Sequence, residues 1–445
     1  MKCSIEKIIK RDGSIVRYDR DRISTAIFRA MASIDRADRA RSEQLAEEVE
    51  RAISAEDGSA MPSVEDIQDR VVEILFKAGE TEVAGVYMEY RGARAKARAR
   101  RESSFEVTDN IPYKKIYEVL RWNLHHECDS APRLNALVAD GRFPGLIRAA
   151  DERYERELKA CAARILDRAG SLRIVIVAGP SSSGKTTTTC KIGEHLQARG
   201  IRLKTINVDN YFFDLETHPK DQFGDYDYEN PHSLDLKLIN EHLVQLLDGR
   251  TVRMPRYDFK SGIRTLNAIE FRLEPGEMLL IDSLHGLFRD MTASVPDESK
   301  FRLYVETLGQ FHAGDGVFMR WADNRLMRRM IRDSLHRNSQ PMSTLTHWHY
   351  VRRSELKNII PFIGEVDFIV NTALPYELPI LKARLSGYFP KAVKALRGDP
   401  KRQDAYIRAC RLNDFLAPLT EVADDSIVPA GSLLREFIGG SRYPV

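Results

Sequence analysis

The pattern of apolar and polar positions divides the chain into two parts that meet near residue 170. After residue 173, short apolar runs alternate with stretches of helical periodicity, which is typical of a parallel sheet covered by helices. The runs predict five strands, at residues 173–178, 203–208, 278–282, 301–305 and 367–371. Before residue 170, the apolar positions mostly have the spacing of amphipathic helices. We therefore expect an α/β domain preceded by smaller, mainly helical parts.

The helical part divides further. Residues 1–102 predict a small domain with two short strands, joined by a turn at Asp12 and Gly13, and three helical stretches. Residues 103–170 predict a helical connector that prolines interrupt. The α/β domain then occupies residues 171–445.

The first strand of the α/β domain leads into a glycine-rich octet, GPSSSGKT at residues 179–186, before a predicted helix. Strand, glycine loop and helix in this order are typical of a phosphate-binding P-loop, because glycines let backbone N–H groups point at phosphate oxygens. A flexible surface turn is the alternative. Lys185 is placed to reach the β- and γ-phosphates of ATP, and the Thr186 hydroxyl to hold Mg²⁺. The predicted phosphate-binding residues are Gly179, Ser181, Ser182, Ser183, Gly184, Lys185, Thr186 and Thr187.

Acidic residues end two other predicted strands, Asp209 after the second and Asp282 after the third. Ligands of open α/β sheets bind beyond the carboxyl ends of the strands. An aspartate there can accept the proton of a substrate hydroxyl, which is the role we expect for Asp209, and Asp282 can hold Mg²⁺. Each residue alone is more often a helix cap or turn former. Both beside a P-loop predict a phosphoryl-transfer site.

A basic helix is expected over residues 324–333. Its arginines at positions i, i+3, i+4 and i+7 share one face, and these are Arg325, Arg328, Arg329 and Arg332. In a phosphoryl-transfer enzyme, such a face suits a lid that neutralises charge on the moving phosphoryl group, and Arg332 is its catalytic candidate. An exposed basic helix is the alternative.

Composition narrows the class of protein. With 445 residues, 43% hydrophobic and 30% charged, the chain is typical of a soluble protein of two or three folding units. No stretch has the apolar length of a membrane span, and charges in residues 1–10 argue against a signal peptide. Five scattered cysteines without a CxxC pair indicate reduced thiols and no zinc site. We therefore expect a cytoplasmic protein without a membrane partner.

Net charge gives little support for nucleic-acid binding. The formal charge of +3 is too small to imply it. Arg94, Arg98 and Arg101 share one helical face, but runs of charge are usually solvated surfaces. Nucleic acid is therefore the less favoured partner.

From the P-loop onward, the chain resembles the uridine kinase and phosphoribulokinase branch of P-loop kinases. The likeness rests on the P-loop and on later motifs that agree in order and spacing: VDNYF at 208–212, NPHSLD at 230–235, YDF at 257–259 and RRMIRD at 328–333. It implies ATP as donor and Asp209 as general base. The substrate contacts that it implies are Glu229, Tyr257, Arg329 and Arg337.

Later stretches and departures refine this resemblance. Residues 351–362, 371–378 and 433–441 resemble a bacterial nucleoside-kinase subgroup. The base-recognising histidine that uridine kinases carry after Tyr-Asp-Phe is replaced by Gly262. Phosphoryl transfer is compatible with this change, whereas the identity of the acceptor is not fixed by it.

The first hundred residues resemble the ATP cone, a regulatory nucleotide-binding module of ribonucleotide reductases. The matching stretches are residues 8–13, 18–19, 22–27 and 82–91. The resemblance implies that ATP or dATP contacts Lys10, Arg11, Asp12 and Arg22, the last of which stands where the cone usually has lysine.

Together these patterns predict an ATP- and Mg²⁺-dependent kinase acting on the hydroxyl of a small nucleoside-like substrate, uridine or cytidine kinase-like and regulated at the cone. Two alternatives remain. One is a kinase for a sugar phosphate or other small alcohol, and the other is a nucleic-acid-binding regulator with weak ATPase activity. Assembly into a homo-oligomer is left open.

Overall fold

The computed structural model describes residues 5–9, 15–55, 61–102, 111–218, 230–314, 316, 318–337 and 339–444, without the side chains of residues 15 and 93–102. The chain separates into two compact units. The first comprises residues 1–107 and 392–407, and the second comprises residues 108–391 and 408–445.

The smaller unit is mainly helical. Its helices pack their apolar faces together, so Ile27, Leu45 and Leu75 are completely buried. The third helix begins at a capping box, in which Ser63 and Asp66 bond to each other's backbone N–H groups. In chain order the elements are β1 (Lys7–Ile9), antiparallel to β2 (Ile15–Arg17), α1 (Arg20–Ala32), α2 (Arg39–Ala55), α3 (Val64–Lys77) and α4 (Thr81–Glu102), one helix more than the sequence pattern predicts.

The larger unit is built on a parallel five-stranded sheet, and the predicted α/β class is confirmed. In chain order its elements are α5 (Tyr113–His125), α6 (Ala131–Ala139), α7 (Phe143–Asp167), β3 (Ile174–Ala178), α8 (Lys185–Gln197), β4 (Arg202–Ile206), α9 (Leu236–Leu247), β5 (Val252–Asp258), β6 (Ile263–Phe271), β7 (Glu277–Ser283), β8 (Lys300–Glu306), α10 (Trp321–His336), α11 (Pro341–Asn358), β9 (Phe368–Asn371) and α12 (Glu377–Leu385). Two helices that each belong partly to both units follow, α13 (Phe389–Leu396) and α14 (Gln403–Leu416), and then α15 (Arg435–Ile438) in the larger unit. The sheet order is β4-β7-β3-β8-β9.

The P-loop strand lies at the centre of this sheet. All five residues of β3 are buried, as expected for a parallel strand that is covered on both faces. Ala178, its last residue, is in register with Ser283 of β7 and Tyr304 of β8. The carboxyl ends of these strands therefore meet at one edge of the sheet, where the P-loop begins.

Two features beside the sheet differ from the sequence pattern. The second predicted strand stops at Ile206, and a 3₁₀ turn over Val208–Tyr211 carries Asp209 instead. An antiparallel hairpin, β5 and β6, was not predicted, although the apolar and polar residues of β5 largely alternate in burial. No helix in the described ranges is long and apolar enough to cross a membrane.

Candidate active site

Two glycines set the shape of the P-loop. A Cβ atom on Gly179 would lie 2.3 Å from the Val305 carbonyl oxygen, and one on Gly184 would lie 2.7 Å from the Leu433 side chain. Gly184 also has a φ of 90° and caps α8, a backbone conformation that favours glycine. The loop therefore follows β8 closely before it turns its N–H groups toward the start of α8.

The polar groups of this loop fit a polyanion. The Ser182, Ser183 and Thr187 hydroxyl groups are buried and have no hydrogen-bond partner among the residues that the structure describes. Buried hydroxyls normally have one, and nucleotide phosphate oxygens would supply acceptors here. Lys185 donates from Nζ to the Gly179 carbonyl oxygen at 2.9 Å. Burial lowers the pKa of Lys185, while Asp282 and Glu436 oppose that shift.

The structure brings the two predicted carboxylates to the same lysine. Burial raises the pKa of Asp282, Lys185 lowers it, and the nearby charges of Glu436 and Asp209 add to the increase. Burial also raises the pKa of Asp209, against the attraction of Lys185 and Arg337. Asp209 keeps contact with solvent, so its carboxylate is surrounded by protein yet open to a substrate.

Oxygen ligands suitable for Mg²⁺ lie at the same edge of the sheet. Thr186 is in the first turn of α8, and Asp282 is on the neighbouring strand β7. The described residues contain no group of three or more His, Cys, Asp or Glu side chains that could hold a metal. A Mg²⁺ ion held by Thr186 and Asp282 would thus take its other ligands from water and phosphate, as this ion commonly does.

Three arginines share one buried carboxylate, Asp333, which sequence reasoning missed although it ends the RRMIRD motif. Arg329 donates to Asp333 Oδ2 at 3.2 Å, and Arg332 donates to Oδ1 from Nε and Nη2 at 3.1 and 3.0 Å. Arg337 lies 3.6 Å from Oδ1. Arg329 also donates to the Ser181 hydroxyl at 3.2 Å. Asp333 therefore holds the cations of α10 beside the P-loop.

The remaining two arginines of the predicted lid face have a different role. Arg325 pairs with Glu306 and Glu355, and Arg328 pairs with Glu377, all in the interior. The lid expectation is wrong for these two residues, because carboxylates distant in sequence neutralise them. Their ion pairs fix α10 to the protein interior, and Arg325 also donates to the Ser181 carbonyl oxygen of the P-loop at 3.1 Å. Arg329 and Arg332 pair with Asp333 instead, beside the P-loop.

Aromatic residues border the Asp209 side of the site. Tyr257 on β5 donates from its backbone N to Asn210 Oδ1 at 3.3 Å, next to Asp209. Its ring lies 5.0 Å from the Phe259 ring and 5.5 Å from the Phe212 ring. A Cβ atom on Gly262 would lie 2.7 Å from the Leu215 Cβ, so this position does not accept a histidine without rearrangement. Glu229 lies outside the described residues.

The structure describes little of the predicted cone contacts. Arg22 is largely exposed and bonds through Nε to Asp19 Oδ2 at 3.2 Å, a local pair at the start of α1. Lys10, Arg11 and Asp12 lie outside the described residues, as do the side chains of Arg94, Arg98 and Arg101.

Known families match both the amino-terminal region and the region that contains the P-loop. Residues 6–96 match the ATP cone domain, and residues 174–374 match the phosphoribulokinase/uridine kinase family. A uridine kinase from Deinococcus deserti is 29% identical over 198 residues, which are 44% of this chain and 86% of that protein. A uridine kinase from Staphylococcus haemolyticus is 27% identical over 175 residues, 39% of this chain and 75% of that protein.

A solved structure of a possible uridine kinase from Bacillus stearothermophilus is 13% identical, with a TM-score of 0.32, and covers 48% of this chain and 100% of that one. It is the two family matches that show an ATP-cone domain at residues 6–96 and a P-loop kinase domain of the phosphoribulokinase/uridine kinase type at residues 174–374.

Proposed function

We propose that this protein transfers a phosphoryl group from ATP to a hydroxyl of a nucleoside of the uridine or cytidine type. The observation that carries this proposal is the cluster of Phe212, Tyr257 and Phe259 beside Asp209. Phe259 is 57% exposed and offers a ring on which a flat heterocycle can stack, with the buried Phe212 and Tyr257 rings packed beside it. A hydroxyl attached to that heterocycle would then lie near the carboxylate that must accept its proton.

Some residues of the site act on the phosphate donor and others act on the acceptor hydroxyl. On the donor side, the P-loop amides and Lys185 hold the phosphates, and Arg332, held by Asp333, adds positive charge where negative charge develops. Bound Mg²⁺, held by Thr186 and Asp282, would neutralise phosphate charge. On the acceptor side, Asp209 takes the proton of the attacking hydroxyl, for which a raised pKa brings the base closer to neutral pH.

A sugar phosphate is the second candidate acceptor. Arg337 is exposed at the end of α10 and offers a cation that an anionic acceptor would use. The absence of a side chain at Gly262 also removes the base-reading histidine expected of a uridine kinase.

Substitution at Tyr257 separates the two acceptors. We expect Tyr257→Leu to raise KM for the nucleoside by roughly 3- to 10-fold, because a ring contact contributes about 0.5–1.5 kcal/mol, and Tyr257→Phe to stay near wild type. Tyr257 is only 5% exposed, so circular dichroism should verify that Tyr257→Leu stays folded, and Tyr117→Leu, at an exposed tyrosine of α5, is the control for a tyrosine-to-leucine change away from the site. A panel of nucleosides and sugar phosphates with ATP and Mg²⁺ would contradict the proposal if only sugar phosphates were consumed.

Adenine nucleotide at the cone is proposed to adjust this activity, on the ground that one chain holds two triphosphate-binding patterns. We expect Arg22→Ala to weaken the response of the rate to dATP at saturating substrate. Arg51→Ala, an exposed arginine of α2, should leave the response unchanged. Equal responses in both variants and the wild type would remove Arg22 from the regulatory site.

A further inference from the structure

The end of the chain lies on the P-loop. We call residues 432–443, which contain α15, the carboxy-terminal strap. Leu433 packs against Gly184 at a distance that leaves no room for a Cβ atom there. The Glu436 carboxylate accepts a hydrogen bond from the Thr187 backbone N–H at 3.0 Å. Glu436 is only 3% exposed, so this contact belongs to the interior of the protein.

The amide that Glu436 occupies is one of the donors a P-loop offers to phosphate. Thr187 lies in the first turn of α8, where backbone N–H groups have no partner within the helix. These groups and the helix dipole attract an anion. Glu436 is an anion at this position, and its charge acts on Lys185 and Asp282 as well. The strap thus presents the P-loop with a carboxylate in the place of a phosphate.

The strap is held by contacts at the P-loop and by contacts outside it. Outside the site, Arg442 and Tyr443 bond to the Glu194 carboxylate of α8, and the exposed Arg442–Glu194 pair contributes little to stability. Arg435 also donates to Asp425 Oδ1 at 3.1 Å and to the Val428 carbonyl oxygen at 2.8 Å. Phe437 lies under the Arg328 guanidinium, with 4.8 Å between the guanidinium carbon and the ring centroid. Leu433, Glu436 and Phe437 therefore form the inner contacts of the strap.

We infer that the carboxy-terminal strap is autoinhibitory: Glu436 competes with a nucleoside triphosphate for the P-loop amides, and nucleotide binding requires the Glu436 carboxylate to leave Thr187. This inference rests on the proposed function, since it concerns regulation of the same nucleotide site. It gives a role to the carboxy-terminal motif at residues 433–441, which the catalytic assignment does not use.

Nucleotide affinity tests the competition directly. We expect Glu436→Gln and Glu436→Ala to bind ATP about 10- to 100-fold more tightly than wild type by calorimetric titration, the range that loss of one charge-assisted bond predicts. Glu421→Gln, an exposed glutamate before the strap, makes the same charge change and should bind as wild type does. Equal or weaker binding by both Glu436 variants would overturn the inference and make Glu436 a supporting part of the nucleotide site.

Hydrogen exchange in the unaltered protein tests the same point without a substitution. We expect a non-hydrolysable ATP analogue to accelerate amide exchange in residues 433–439, because the strap must leave the P-loop. Unchanged or slower exchange, with the analogue bound, would overturn the inference and leave the kinase assignment intact. If neither the wild type nor any variant binds ATP, the proposed function fails and the strap inference fails with it.

Discussion

Replacing Asp209 by asparagine tests the proposed base at the atom that takes the proton. The substitution keeps the size and shape of the side chain and removes its charge and basicity. General-base catalysis contributes typically 10²- to 10⁴-fold, so we expect kcat to fall by about that factor, or about 3–5 kcal/mol in activation free energy. Because the donor phosphates lie on the P-loop side, we expect KM for ATP to change less than kcat does.

The pH profile sharpens this test. Burial raises the pKa of Asp209 above its ordinary value of 3.8, and a base works only when it is deprotonated. Activity should therefore fall as the pH drops through that raised pKa, and the residual activity of Asp209→Asn should lack this acidic limb. Arg337 lowers the pKa of Asp209, so Arg337→Ala should move the limb to higher pH.

The expected displacement is small because Arg337 is exposed. Exposed charge pairs contribute at most about 1 kcal/mol, which corresponds to a shift of at most roughly 0.7 pH unit, and added salt should reduce it. Profiles of kcat/KM for the wild type, Arg337→Ala and the exposed control Arg353→Ala would measure the shift. A limb that moves to lower pH, or an Asp209→Asn enzyme with wild-type rate, would refute the assigned role.

Three further substitutions probe the donor side and its support. Lys185→Ala should lower kcat about 10²- to 10³-fold through lost stabilisation of phosphate charge, with the fold retained in circular dichroism; a near-normal rate would exclude the lysine from catalysis. Asp333→Asn should lower kcat, and it should lower the free energy of unfolding by about 1.5–3 kcal/mol for each charge-assisted bond to Arg329 and Arg332 that is lost. An unchanged kcat would show that the placement of these two arginines does not depend on Asp333. Glu377→Gln leaves Arg328 buried without its charge partner and should cost about 3–5 kcal/mol in urea unfolding, with kcat per folded molecule unchanged; a loss below about 1 kcal/mol would contradict the pairing.

Apolar runs and short sequence motifs were sufficient to predict the parallel sheet and the P-loop of the larger unit. Each of the five predicted strands is present. The central strand β3 is the clearest of them, because a parallel strand buried on both faces appears as a continuous apolar run. The P-loop and the acidic residues after the strands followed from residue type and from the geometry of parallel sheets. The β5–β6 hairpin was missed, since its exposed second strand lacks an apolar run.

Contacts between residues distant in sequence determine features of the site that the apolar and polar pattern does not predict. Helical spacing placed four arginines on one face, but Glu306, Glu355 and Glu377 determine which of them are neutralised. Likewise, nothing near Thr187 in sequence indicates that Glu436, 249 residues away, would take its amide. Propensity and periodicity are short-range properties, whereas these pairings depend on the folded chain.

Helix α14 has a practical consequence for anyone who wishes to study the two units apart. Its residues 403–407 belong to the smaller unit and its residues 408–416 to the larger one. Within the smaller unit, the Arg39 guanidinium donates to the Tyr406 hydroxyl at 3.1 Å. A single cut near residue 107 would separate residues 392–407 from such partners. A fragment that represents the smaller unit should therefore include residues 392–407 joined to residues 1–107, and one that represents the larger unit needs a linker between residues 391 and 408.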